Sequence, residues 1–210
     1  GFILGFVRKK YSLEIGNVLM GFGMLFLGLD IISECVGVFK SYQAFCNIFL
    51  VDSPILLLLN GILITSIMQS SSAVSSVIIV LASNGLIGFD SATFLILGAN
   101  IGTCLPVILA SLNRSVDGVR TAFFNLCFNL FGTLILFFPL CLFKREISSF
   151  FMAFSGGVER QIANFHTFFN LFVTIILLPI LKPFTNLICM LIPSERVKIP
   201  TKLAVNEVKS

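Results

Sequence analysis

Long apolar runs separated by short polar stretches set the plan of this chain. Three runs, at about 15–39, 118–143 and 161–181, each offer the roughly 20 apolar residues that a helix needs to cross a bilayer. Two further apolar segments, at about 54–83 and 91–112, carry polar residues in their middles. The pattern predicts an all-α integral membrane protein with three plain spanning helices and two interrupted segments.

Composition supports the membrane class. The 210 residues are 57% hydrophobic and 11% charged, with a mean hydropathy of +1.03, whereas soluble domains carry about 25% charged residues. The apolar runs are too long for the alternating segments of a β-barrel. The six cysteines lie mostly inside apolar segments, which predicts small core residues without metal or disulfide. The lipid bilayer is therefore the expected environment, and the net charge of +4 does not indicate nucleic-acid binding.

The segment at 54–83 is interrupted by the most polar stretch within any apolar run. Residues 65–76 read Thr-Ser-Ile-Met-Gln-Ser-Ser-Ser-Ala-Val-Ser-Ser. Either apolar flank alone is too short to cross the membrane, so two short helices meeting at this break predict a re-entrant helical hairpin. Backbone that is not helical at membrane depth must be buried in protein or wetted. The break is therefore a candidate binding site.

The segment at 91–112 predicts a broken transmembrane helix. Gly98 and Gly102 bracket Asn100 in mid-segment, and glycine would there allow an unwound backbone whose free carbonyl and N–H groups bind a ligand. A third polar group comprises Asn125 and Asn129 on one helix and His166 and Asn170 on the next. These residues have a simpler interpretation as interhelical hydrogen-bonding groups.

The residue types at the two breaks suit ions. Hydroxyl, amide and carbonyl oxygens bind alkali cations, and the half-helix starting at 71–73 would present free N–H groups and a partial positive charge to an anion. No Lys or Arg lies near the breaks. A different class, an intramembrane serine hydrolase using Ser71 with His166, stays open, although the chain has no Gly-x-Ser-x-Gly motif.

Basic residues predict the orientation. If the hairpin enters and leaves on one face, only four basic residues share that face: Lys40, Lys144, Arg145 and Arg160. Ten lie on the other face: Arg8, Lys9, Lys10, Arg114, Arg120, Lys182, Arg196, Lys198, Lys202 and Lys209. The positive-inside rule makes the second face cytoplasmic. The hairpin would then open from outside, and the C-terminal tail would be cytoplasmic.

Two paired motifs carry a family resemblance. Gln-Ser-Ser-Ser-Ala at 69–73, followed by Gly-Ala-Asn-Ile-Gly-Thr at 98–103, resembles the type II sodium/phosphate cotransporter family. Residues 23–30 and 162–170 extend the match, which covers about 15–180. The resemblance is to the second of two inverted repeats, so the missing first repeat is an expected partner, and residues 1–7 would end a preceding helix.

The resemblance implies sodium-coupled transport of inorganic phosphate, not an enzyme, with phosphate and sodium bound near the membrane midplane. Sodium would be a co-transported ion, and no cofactor is expected. The implied phosphate contacts are Gln69, Ser70, Ser71, Ser72, Asn100 and Thr103, and the implied sodium ligands are Gln69, Ser71, Asn100 and Thr103. Transport of another anion, or phosphate export, is the alternative within the same architecture.

The resemblance also bears on Cys104 and on the C-terminal tail. The family usually has Thr where Cys104 stands, and because a thiol is a poor sodium ligand no cation role is carried to this position. Residues 1–193 are expected to form the membrane domain, with 194–210 as a cytoplasmic linker towards a domain resembling the phosphate-regulation protein PhoU. The expected location is a bacterial inner membrane.

Overall fold

The computed structural model describes residues 10–39, 42, 47–49, 51–112 and 114–193. Every regular element within them is a helix, as the apolar pattern predicted. The segment at 1–7 and the tail at 194–210 lie outside the described residues. The helices are α1 Lys10–Phe39, α2 Pro54–Met68, α3 Ser71–Ser83, α4 Phe89–Gly102, α5 Cys104–Ser111, α6 Val116–Leu142, α7 Lys144–Ala153, α8 Val158–Leu177 and α9 Leu181–Leu191, with a 3-10 turn at Leu178–Ile180 between the last two.

Four stretches of the described chain are long and apolar enough to cross a membrane: Leu13–Val38, Phe89–Ser111, Val116–Leu142 and Val158–Leu191. The helices α2 and α3 have only 15 and 13 residues. At 1.5 Å per residue they are about 22 and 20 Å long, which is less than the roughly 30 Å of a hydrocarbon core. The chain is therefore a helical membrane protein that also contains two helices too short to span.

Glycine contacts fix the relative direction of α2 and α4. A Cβ on Gly98 would overlap with the carbonyl oxygen of Leu58, and one on Gly102 would lie 2.7 Å from the carbonyl oxygen of Ile62. Later residues of α4 thus meet later residues of α2, so the two helices run in the same direction. Because α2 and α4 run the same way, α3 must return the chain to the end where α2 began.

Two side-chain contacts extend this polarity to the later helices. Lys144, which starts α7, pairs with Asp90 at the start of α4 at 3.3 Å. Arg120, near the start of α6, donates from Nε to the carbonyl oxygen of Ile192 at 3.1 Å. We call the end with Pro54, Asp90 and Lys144 the base end; Arg120 and Ile192 mark the opposite end.

The core is centred on α4. In an 18-residue window of the span Phe89–Ser111, 61% of the residues are buried, against 6% in a window of Leu13–Val38. Side chains along α4, including Phe94, Leu95, Ile96 and Leu97, are at most 1% exposed. The helices α2, α3, α6 and α8 all pack on α4. The helix that carries Asn100 is thus held from several sides.

Two sequence expectations were wrong in their details. The break in the second interrupted segment lies at Thr103, and α4 stays helical through Gly98 and Gly102 because these glycines are used for close packing with α2. The stretch between the apolar runs at 118–143 and 161–181, expected to be only a connection, contains helix α7. Its polar residues Lys144, Arg145, Ser148 and Ser149 and its apolar residues Ile147, Phe150 and Phe151 fall on different faces at helical spacing, so it is amphipathic and lacks the apolar run that marks a spanning helix.

Candidate binding site at the break between two helices

Gln69 ends α2 in a left-handed backbone conformation. Its φ and ψ are 55° and 21°, and its N–H donates to the carbonyl oxygen of Thr65 at 2.7 Å. Among the described residues it is the one non-glycine residue with a positive φ. A long side chain rarely takes this conformation, and such residues often occur at functional sites. The Gln69 side chain is exposed.

Ser70 begins α3 as its N-cap. Its backbone is extended, and its Oγ accepts from the N–H of Ala73 at 3.4 Å and lies 3.3 Å from Ser72 Oγ. The first intrahelical bond runs from Val74 N–H to the Ser70 carbonyl at 3.1 Å. The N–H groups of Ser71 and Ser72 precede that bond, so they point out of the helix end without an intrahelical acceptor.

Asn100 and Thr103 lie at the C-terminal end of α4. Asn100 is 7% exposed, and its Nδ2 donates to the carbonyl oxygen of Ile96 at 3.0 Å. The hydroxyl of Thr103 donates to the carbonyl oxygen of Asn100. These bonds use one Asn100 N–H and the Thr103 hydroxyl proton, so the side-chain oxygens of both residues retain lone pairs. The expected unwound glycine carbonyls, by contrast, are inside a helix.

The packing of α2 on α4 brings these two groups to the same level. Gly102 lies against the Cβ of Thr65 and the backbone N of Ser66. Gln69 and Thr103 each follow the end of their helix by one residue, so they lie at the same end of a parallel pair. At this contact Thr65 Oγ1 is buried and has no hydrogen-bond partner in the described chain. Thr65 was not among the expected site residues, and only packing distinguishes it from its neighbouring hydroxyls.

The polar side chains of α6 and α8 form hydrogen bonds mostly within their own helices. Asn129 Nδ2 donates to the carbonyl oxygen and to Oδ1 of Asn125, at 2.9 and 3.1 Å. His166 Nδ1 lies 3.4 Å from Ser75 Oγ, which joins α8 to α3. The structure thus pairs His166 with Ser75, one turn after Ser71, and the geometry does not support a Ser71 nucleophile activated by His166.

The remaining groups agree with an ion site made of neutral atoms. No Lys or Arg occurs between residues 54 and 111. No cluster of three His, Cys, Asp or Glu side chains able to hold a metal is found among the described residues. Cys104 is buried, and its Sγ contacts the carbonyl oxygens of Asn100 and Asn125 at 3.9 and 3.6 Å. It fills the core beside the site as a small apolar side chain does.

Short helices that meet at a polar break, packed on spanning helices, are the architecture of a membrane transporter. The chain belongs to the Na+/Pi-cotransporter family, whose model matches residues 46–156. The name of this family refers to the cotransport of Na+ and inorganic phosphate.

Similar proteins come from bacteria and animals. YqeW of Bacillus subtilis is 28% identical over 198 residues, covering 93% of this chain and 63% of YqeW. YjbB of Escherichia coli, whose name refers to inorganic phosphate export, is 27% identical over 96% of this chain and 37% of its own length. The human sodium-dependent phosphate transport protein 2B is 29% identical over 93% of this chain and 28% of its own length. This chain therefore spans less than two thirds of each relative. No solved structure matches it.

Proposed function

We propose that this chain forms part of a sodium-coupled transporter of inorganic phosphate and binds both ions at the break between α2 and α3. The family and the printed name of the human relative support the substrate and the coupling ion. Phosphate would contact Gln69, Ser70, Ser71, Ser72, Asn100 and Thr103. Sodium would contact Gln69, Ser71, Asn100 and Thr103.

One observation carries this proposal: the break places the C-terminal end of α2 beside the N-terminal end of α3, only Gln69 and Ser70 apart. A helix C-terminus presents carbonyl oxygens and partial negative charge to a cation. A helix N-terminus presents N–H groups and partial positive charge to an anion. The two ends together therefore suit a cation and an anion bound as neighbours, which is what coupled transport needs.

We further propose that α2 and α3 form a re-entrant hairpin that enters and leaves at the base end. Both helices are too short to span, and the parallel pairing of α2 with α4 requires α3 to return. The excess of basic residues at the opposite end makes that end cytoplasmic. The C-terminal tail would then be cytoplasmic and would lead towards a PhoU-like domain, and the location would be a bacterial inner membrane.

The partner surface in this proposal is an inverted repeat of the same architecture. In such transporters the site lies at the seam between two repeats, near the membrane midplane. Polar groups such as those of Gln69 need protein or water around them at membrane depth. A first repeat carrying its own hairpin would supply the opposing half of the site.

Radiolabelled phosphate flux tests the proposal. The protein expressed from its complete reading frame would be reconstituted in vesicles with an inward gradient of Na+ or of K+. We expect phosphate uptake with Na+ only, lowered by Ser71→Ala and by Ser72→Ala. Ser83→Ala on the same helix is the matched control, because Ser83 lies at the base end and bonds only to the Val80 carbonyl. Equal flux with K+ would overturn sodium coupling, and full flux in both serine variants would remove these hydroxyls from the site.

A second candidate, phosphate export, rests on the similarity to YjbB. The same vesicles distinguish export from uptake. Export is indicated if an outward Na+ gradient accelerates phosphate efflux and an inward Na+ gradient produces no phosphate uptake. Competition by sulfate or arsenate in the uptake assay would show whether the site accepts other anions.

A further inference from the structure

A second pocket lies at the base end, away from the break between α2 and α3. It has a volume of about 300 Å³ and is enclosed by α6, α7 and α8. Its walls are almost entirely apolar, and the ring of Phe151 lies 5.3, 5.7 and 5.8 Å from the rings of Phe150, Phe165 and Phe168. Leu136, Leu140 and Ile147 complete the apolar lining. A pocket of this composition suits a hydrocarbon chain.

Helix α7 separates the pocket from a polar surface. Ile147, Phe150 and Phe151 face the pocket, whereas Lys144, Arg145, Ser148 and Ser149 line a shallow polar cavity on the other side. The helix directly follows the spanning helix α6, and Lys144 ties its start to Asp90. A strongly amphipathic helix at the end of a span lies at the boundary between acyl chains and headgroups. The mouth of the pocket is therefore at headgroup level.

One charged side chain, that of Glu146, lies at this mouth. Glu146 lines the pocket and is exposed, whereas Arg145 lines the other cavity. Glu146 forms no ion pair with the described part of the chain, where the ion pairs are Arg120–Asp117 and Lys144–Asp90. The first intrahelical bond of α7 is that from Ile147 N–H to the Phe143 carbonyl. The N–H groups of Lys144, Arg145 and Glu146 are consequently free to bind a negative group.

From this arrangement we infer that the pocket binds a phospholipid with a primary ammonium headgroup, such as an ethanolamine phospholipid. One acyl chain occupies the apolar pocket, the ammonium donates to Glu146, and the phosphate accepts from the free N–H groups at the start of α7. A glycerol phospholipid has no ammonium and leaves Glu146 unpaired. A choline headgroup keeps the positive charge but has no N–H to donate, so it loses the hydrogen bond. This inference does not depend on the proposed transport function.

Bromine quenching of a single tryptophan tests the site directly. The chain contains no Trp, so Phe150→Trp introduces one reporter at the pocket wall. Vesicles would contain a small fraction of lipid with brominated acyl chains, carrying either an ethanolamine or a choline headgroup. We expect about two- to tenfold stronger apparent binding of the ethanolamine lipid, the range for one net hydrogen bond. Phe168→Trp provides a second reporter if Phe150→Trp does not fold.

Control variants separate the site from general lipid contact. Phe138→Trp, on an exposed part of α6 outside the pocket, should show equal quenching by both lipids. Glu146→Gln should abolish the ethanolamine preference, whereas Glu159→Gln at the start of α8 should preserve it. Arg145→Gln should leave the binding of both lipids unchanged, because Arg145 lines the other cavity. Equal quenching at the pocket reporter, or a preference that survives Glu146→Gln, would overturn the inference.

Discussion

Gly98 on α4 packs directly against the backbone carbonyl of Leu58 on α2, with no room for a Cβ between them. Gly61 makes the corresponding contact with the carbonyl of Leu95, and Gly102 makes one with that of Ile62. Gly98 and Gly102 are four residues apart and so share one face of α4, as small residues do where membrane helices approach closely. These contacts set the level of Gln69 relative to Thr103, on which the proposed ion site depends.

Gly98→Ala should therefore disturb both folding and the site. Overpacking a close contact costs about 1–3 kcal/mol, and the obstacle here is backbone, which cannot rotate away. We expect a lower thermal unfolding midpoint in detergent and loss of sodium-dependent phosphate binding. Gly28→Ala is the matched control, since a Cβ at Gly28 meets nothing within 4 Å. Unchanged stability of Gly98→Ala would contradict the packing described here.

Substitutions of Gln69 can separate its backbone from its side chain. Gln69→Gly favours the left-handed conformation but removes the amide, whereas Gln69→Asn keeps an amide and tolerates that conformation. We expect Gln69→Gly to keep or raise stability while abolishing phosphate uptake, and Gln69→Asn to retain part of it. Thermal unfolding and flux would be measured on the same preparations. Normal uptake by Gln69→Gly would show that the side chain is not a ligand.

The contact between Ser75 and His166 should join α3 to α8 energetically. The two atoms are 3.4 Å apart, and Ser75 is 7% exposed, so breaking the bond should cost about 0.5–1.5 kcal/mol. Ser75→Ala and His166→Ala would be compared with the double variant by thermal unfolding. If the side chains are coupled, the double variant loses less stability than the sum of the two single losses. Ser76→Ala is the control, because Ser76 bonds only within α3, to the Ser72 carbonyl. Strict additivity would mean that the two side chains do not interact.

Thiol labelling of intact cells tests the re-entrant topology. Cysteines replacing Asp52 and Asp90 should react with a membrane-impermeant reagent from outside, and one replacing Arg114 should react only after the membrane is opened. These positions flank α2, begin α4 and follow α5, respectively. All native cysteines would be replaced beforehand; among the described ones, Cys35 and Cys141 are exposed. Labelling of positions 52 and 90 from opposite sides would mean that the segment 54–83 crosses the membrane.

Much of this protein could be predicted from local sequence. The apolar runs predicted the helical membrane class because a bilayer accepts only backbone whose hydrogen bonds are satisfied within the segment. The polar stretch at 65–76 located the break between α2 and α3, since Ser70 is a strong N-cap residue and the hydroxyl residues interrupt the apolar run. The paired motifs at 69–73 and 98–103 identified the family, which the family model then confirmed.

Tertiary structure decided what local signals leave open. The pattern Gly-Ala-Asn-Ile-Gly at 98–102 suits both an unwound helix and a close helix crossing, and only the position of α2 against α4 selected the crossing. Helix α7 was missed because amphipathic helices lack the long apolar run of a spanning segment. The pairing of His166 with Ser75 joins residues 91 positions apart. Hydropathy and capping act over a few neighbouring residues, whereas these features depend on which helices meet, and that is determined by packing of the whole chain.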